Sequence, residues 1–155
     1  MAKKNSAGIL IYRWRNGNIE VFLVHPGGPF WAKKEAGAWS IPKGEFDKDE
    51  DPLEAAKREF QEETGFSVTG DFIALMPVKQ AGGKIVYAWA VNSDCRAEAI
   101  KSSTFSMEWP PRSGNRKEFP EIDRAGWFSM ELATEKILKS QSGLLEQLSE
   151  IIRKN

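Results

Sequence analysis

At 155 residues, 41% apolar and 28% charged, the chain has the size and composition of one globular domain with a core of its own. Its 22 basic side chains balance 22 acidic ones, so net charge gives no reason to expect a DNA or membrane partner. A single cysteine, Cys95, excludes an intramolecular disulfide or a cysteine zinc cluster, and a single histidine, His25, excludes multi-histidine metal sites.

In chain order, Ala7–Trp14 and Ile19–His25 read as two strands around an Asn16-Gly17-Asn18 hairpin turn. No signal peptide precedes Ala7 and no apolar run reaches membrane-spanning length, so a reducing, cytoplasmic setting is expected, with Cys95 an inert thiol. Pro26–Ala38 is a Gly- and Pro-rich loop carrying Phe30, Trp31, Lys33 and Lys34, long enough to suggest a functional role. Trp39-Ser40-Ile41 is expected to form a short strand leading into Pro42-Lys43-Gly44. Asp51-Pro52-Leu53-Glu54 then starts a helix: an Asp N-cap, Pro at the first position and Glu at the third. Gly65 ends that helix as a left-handed cap. Strands are expected at Val68–Lys79 and Lys84–Val91 around Gly82-Gly83, and a third at Thr104–Trp109. Pro110–Pro120 reads as a polar loop. Trp127-Phe128 enters the core with Trp14 and Trp89, and Ser129 caps a helix to about Lys139. Gly143 precedes a last amphipathic helix, Leu144–Arg153. With no repeat or linker, residues 1–155 are expected to be one mixed α/β domain.

The informative stretch is Gly44 to Phe66. On a helix starting at Pro52, Leu53, Ala56, Phe60 and Thr64 face the core, while Glu59, Glu62 and Glu63 at i, i+3 and i+4 share an adjacent face. Three like charges so close repel one another, and a hard cation such as Mg²⁺ removes that repulsion while accepting their oxygens as ligands. Asp47–Glu63 is strongly acidic overall, whereas Lys33, Lys34, Lys43, Lys79, Lys84, Arg112, Arg116 and Lys117 are scattered through loops and strand ends.

Gly44, Glu50, Arg58-Glu59-Phe60, Glu62-Glu63 and Gly65-Phe66 fill the pattern G-x5-E-x7-R-E-U-x-E-E-x-G-U, with U apolar. This resembles the Nudix box at every specified position of residues 44–66, and the flanking elements extend the likeness over nearly the whole chain. The resemblance implies an α/β/α sandwich with a mixed β-sheet. It also implies Mg²⁺-dependent hydrolysis of phosphoanhydrides in nucleoside diphosphate-linked compounds, with Mn²⁺ as an alternative metal. By the same resemblance Gly44 (through a main-chain carbonyl), Glu59, Glu62 and Glu63 hold metal, and Glu50 with Arg58 forms a structural ion pair. Arg58 also offsets the glutamate repulsion and belongs to the expected catalytic set with Glu62, Glu63 and Glu121.

Glu121 is the candidate acid outside the box, because its spacing before Trp127-Phe128 matches relatives that cleave dinucleoside polyphosphates. Glu118 is its neighbouring alternative, and the proton acceptor is one of Glu62, Glu63 and Glu121. The run Trp39 to Gly44 is similar to that of dinucleoside polyphosphate hydrolases, and Lys43 is placed to meet phosphate. Trp31, Tyr87 and Trp109, with Phe30, are the candidates for base stacking. Core packing competes for Tyr87, and His25 is expected at a strand end. The expected substrate is a small nucleotide, a dinucleoside polyphosphate such as diadenosine tetraphosphate. Nucleoside triphosphates and RNA 5′ ends are alternatives, and a nucleotide-binding module without catalysis is a third. The complete set of glutamates favours the enzyme.

Overall fold

The computed structural model describes residues 5–154; residues 1–4 and 155, part of the expected single domain, lie outside the described residues. The architecture grows from one hairpin. β1 (Asn5–Arg15) and β2 (Asn18–Pro26) are joined at Asn16 and Gly17, whose φ of 53° and 81° are the positive values a tight hairpin turn needs. β1 alternates faces, sending Ala7, Ile9 and Ile11 to one apolar cluster and Leu10 to the other.

β2 does not run the full length of β1. It pairs with the second half (Tyr12↔Val21 to Arg15↔Asn18), and β3 (Lys43–Phe46) pairs with the first half (Asn5↔Phe46 to Gly8↔Lys43). The two strands therefore share one edge of β1 and part company midway. β6 (Ile85–Asn92) lies parallel to β1 on its other edge, and β9 (Ile122–Ser129) is antiparallel beside β2. Two-residue strands β4 (Ile73–Ala74) and β5 (Val78–Lys79) finish a seven-stranded mixed sheet, while β7 (Thr104–Glu108) and β8 (Arg116–Pro120) form a separate ribbon.

Helices cover both faces. α1 (Pro52–Thr64) packs Ala55, Ala56 and Phe60 onto Ile9, Ile11, Phe22 and Val24. α2 (Met130–Lys136) and α3 (Ser142–Arg153) cover Leu10, Val21 and Leu23 from the opposite side with Ala133, Leu144 and Leu148. This is the expected α/β/α sandwich. The caps of α1 are those read from its sequence: Asp51 Oδ2 accepts from the Glu54 N–H at 3.0 Å, and Gly65, at φ 83°, donates to the Gln61 carbonyl. Phe60, fully buried with its ring 6.2 Å from that of Phe22, anchors α1 to the sheet. Phe60→Ala is expected to lower unfolding free energy by about 3–5 kcal/mol, measured by urea denaturation.

Several sequence expectations are corrected. The strand expected at Val68–Lys79 is reduced to β4 and β5, because Pro77 has no N–H to pair. The Met76 N–H and carbonyl are instead taken by the amide of Gln147 on α3, at 2.6 and 3.0 Å. Half of the expected Pro110–Pro120 loop is β8, whose edge is satisfied by β7 (Phe105↔Phe119, Glu108↔Arg116). Trp39–Ile41 makes only isolated bridges, Val24↔Ser40 and Trp39↔Ile137. α2 stops at Lys136, three residues early, where the Ile137 backbone turns extended to meet Trp39. Trp14 is 54% exposed rather than core, since it stands at the hairpin end of β1.

Candidate active site

The site opens where β2 and β3 diverge along β1. Leaving β2, the chain forms the 27–38 loop and returns through Ser40, whose N–H and carbonyl exchange bonds with Val24. It then continues along the same edge of β1, where the Pro42 carbonyl accepts from the Ile9 N–H at 3.1 Å, into β3, and α1 follows five residues after β3 ends. One turn of chain thus sets Lys43 and Gly44 beneath the carboxylate face of α1.

That contact is close. The Lys43 backbone N–H donates to Glu63 Oε1 at 3.2 Å, and a Cβ built on Gly44 would overlap the Glu59 carboxylate. Only glycine leaves that carboxylate room. Arg58 organises the rest: its Nε and Nη2 meet both oxygens of Glu50 at 2.9 and 3.1 Å, and its Nη1 reaches Glu59 and, at 3.3 Å, Glu62. The expected Glu50–Arg58 pair is present in bidentate form, fixing the loop after β3 to α1. Arg58 makes no contact with the cavity beside Glu63; its fork is engaged with glutamates.

Glu63 is a strongly perturbed carboxyl. Burial pushes it up to about 8, against the pull of the Lys43 backbone N–H and ammonium; Glu59 and Glu121 add to the rise. Burial also raises Glu59, with the Arg58 hydrogen bond opposing, and lowers Lys43. In chelator, the native state therefore keeps a proton on Glu63 that the unfolded chain releases above its usual 4.5. The stability this contributes is fully present below that value and is lost as pH rises towards 8. Melting temperatures in EDTA are expected to show this fall, and Glu63→Gln to flatten it.

Beside Glu63 lies a cavity of about 220 Å³, lined by Lys43, Glu63 and Glu121 on its polar side and by Val24, Ile41 and Trp31 among its apolar walls. Glu121 comes from the residue before β9, where its carbonyl accepts from the Gly27 N–H and its own N–H donates to Ser103. Glu118 points elsewhere, accepting from Thr104 on the outer ribbon. Of the base-stacking candidates, Trp31 lines the cavity; Trp109 meets Phe30 edge-on at 5.6 Å, linking ribbon to loop. Tyr87 does not reach the cavity: its ring packs on Phe46 at 6.0 Å on the α1 side of the sheet. Burial, with Asp94 nearby, pushes the Cys95 thiol up to about 12, in keeping with an inert thiol.

Residues 2–148 match the family model described as the NUDIX domain. The chain belongs to the Nudix family. The mRNA-decapping protein g5R of African swine fever virus is 31% identical over 117 residues, 71% of this chain and 43% of that protein. The RNA pyrophosphohydrolase of Stenotrophomonas maltophilia is 42% identical over 50 residues, 31% of this chain and 24% of that protein. The chain thus spans less than half the length of these curated relatives. Among solved structures, an Ap4A hydrolase of C. elegans in a binary complex superposes with a TM-score of 0.67 at 23% identity, covering 99% of this chain and 100% of that one. The NUDIX domain of Shewanella oneidensis NrtR, solved with ADP ribose, gives 0.69 at 16% identity, covering 98% and 90%. At these identities the likeness establishes the Nudix fold.

Nudix proteins generally work with a divalent cation, commonly Mg²⁺. The donor set here fits one: oxygen ligands only, on one helix face, beside a glycine whose missing Cβ leaves the Glu59 carboxylate its place. Among the described residues no three acidic, histidine or cysteine side chains already converge on one point; Glu59 and Glu62 meet Arg58 Nη1, while Glu63 accepts from the Lys43 N–H. No helix of the described residues is long and apolar enough to cross a membrane. Sequence reasoning missed the apolar walls of the Nudix cavity, Val24, Ile41, Ile122 and Leu138, which carry no local motif. His25 lies at the end of β2 as expected, but the burial of its ring between Asp123 and the Lys34 carbonyl was not legible in the sequence.

Proposed function

We propose that this Nudix protein hydrolyses a phosphoanhydride of a small nucleotide, and that its substrate is a dinucleoside polyphosphate such as diadenosine tetraphosphate. The observation that carries this reading is the cavity that joins Glu63 and Glu121 to Lys43 and Trp31. It puts two carboxylates, a cation and an aromatic face around a space suited to a base with its first phosphates.

Glu59, Glu62 and Glu63 would hold Mg²⁺ or Mn²⁺, with the main chain at Gly44. Bound there, the metal supplies charge neutralisation on the polyphosphate and acidifies a coordinated water. Lys43 and Arg58 place positive charge on either side of the carboxylates, Lys43 at the cavity wall for phosphate and Arg58 holding Glu59 and Glu62 in register. Of the candidate bases, Glu63 and Glu121 line the cavity while Glu62 is on the solvent side. Glu63 and Glu121, the two that face the cavity, are therefore the pair assigned to take the proton from water. Trp31 orients the base.

RNA 5′ ends are the second reading. The decapping and pyrophosphohydrolase relatives favour it, as does the ribbon bearing Arg112, Arg116 and Lys117 that Trp109 and Phe30 tie to the loop. A panel of dinucleoside polyphosphates, nucleoside triphosphates, and triphosphorylated and capped RNA with Mg²⁺, resolved by chromatography, separates them. ATP plus AMP from diadenosine tetraphosphate is expected. Activity on triphosphates or RNA alone would replace the substrate, and nucleotide binding without a Mg²⁺-dependent product would leave only a binding module.

A further inference from the structure

His25 is the largest polar commitment in the core that the chemistry above does not use. Its ring is fully buried, 5.2 Å from that of Trp39, and both nitrogens are engaged: Nδ1 with Asp123 Oδ1 at 2.7 Å, Nε2 with the Lys34 carbonyl at 2.6 Å. The next residue, Glu35, is held as well. Its carboxylate bridges Arg124 of β9 and, at 3.1 Å, Lys136 of α2, and both cations lie over the Trp39 ring. Those two cations hold the Glu35 carboxyl below its usual range.

Two consecutive residues of an exposed loop are thus pinned to three elements of the sandwich. The pin reaches the cavity directly. The Lys34 N–H donates to the Trp31 carbonyl at 3.0 Å, the Lys34 ammonium lies over the Trp31 ring, and Trp31 lines the cavity. A free loop of this kind would have to be ordered each time a ligand bound, and that entropy would be taken from affinity.

We propose that His25 and Glu35, through Asp123, Arg124 and Lys136, form a clasp that presets Trp31 for the nucleotide, making them positioning residues that act on binding and not on the chemical step. The proposal rests on the nucleotide-hydrolase reading. Its test uses Glu35→Ala, an exposed change with little risk to the fold, together with His25→Gln and the conservative Glu35→Asp. Steady-state kinetics on whichever nucleotide the wild type cleaves give KM and kcat. Calorimetry with a methylene-bridged, non-hydrolysable diadenosine tetraphosphate gives Kd without turnover, and hydrogen exchange of residues 31–37 reads the loop without any ligand.

Expected are KM and Kd raised roughly three- to tenfold in Glu35→Ala, with kcat within about twofold, faster exchange of the loop, and partial recovery in Glu35→Asp. Unchanged KM and Kd in folded Glu35→Ala and His25→Gln would overturn the clasp, and so would a loss confined to kcat. A wild type that binds the analogue without hydrolysing any nucleotide would overturn the hydrolase reading, while the Kd comparison would still decide the clasp.

Discussion

Glu63→Gln is expected to lower turnover by about 10²–10⁴-fold and leave the protein folded. The amide keeps an oxygen for the Lys43 N–H, so the crossing of β3 beneath α1 is preserved. It removes the carboxyl that burial has raised to about 8, and with it the proposed proton acceptor and metal oxygen. At pH 8 without metal the variant should melt no lower than the wild type, since a half-buried charge has been replaced by a neutral group of the same shape. Turnover, circular dichroism and Mg²⁺ titration on one preparation check all three points. A folded Glu63→Gln with near-normal Mg²⁺-dependent turnover would remove Glu63 from the centre. Glu62→Gln, on the solvent side of the same face, should also cost activity, with more of the loss appearing as weaker Mg²⁺ binding.

Gly44→Ala is expected to abolish most activity with a melting temperature close to that of the wild type. A methyl group there collides with the end of a flexible side chain, the Glu59 carboxylate, rather than with backbone. Glu59 escapes by changing rotamer, so the core is untouched and little stability is lost. The escape, however, takes a candidate ligand away from its neighbours and from Arg58. Metal affinity measured by calorimetry should therefore fall along with turnover, and activity should partly return at high Mg²⁺. Wild-type affinity for Mg²⁺ in this variant would show that neither Gly44 nor Glu59 is at the metal site.

The box was legible because its information is local. Cap residues, an apolar stripe and a carboxylate face all lie within α1 and the turn before it, so helical spacing alone assembles them. The cavity walls were not. Leu138 and Ile122 join Val24 and Ile41 across roughly a hundred residues, and nothing in an apolar side chain records which wall it will form. Tyr87 and Trp31 illustrate the limit from two sides. Strand alternation places Tyr87 on one face of β6 but does not say that α1 and Phe46 occupy that face. Trp31 was legible as a loop aromatic, whereas its fastening through Lys34 and Glu35 depends on β9 and α2. β8 escaped notice because an isolated polar stretch becomes a strand only when a partner edge is present.

The position of β1 has a consequence for how this chain is made. β1 precedes every one of its sheet partners in the chain, yet it ends up at the centre of the sheet, flanked by β2 and β3 on one edge and by β6 on the other. Its pairing with β2 closes over a two-residue turn, but the parallel register Ser6↔Val86 to Tyr12↔Asn92 waits for some eighty further residues. Until β6 is synthesised, one edge of an apolar strand stays open to other chains. Slow synthesis between Gly44 and Tyr87 should therefore favour aggregation over native yield, and the box helix, which packs on that same strand, shares the delay.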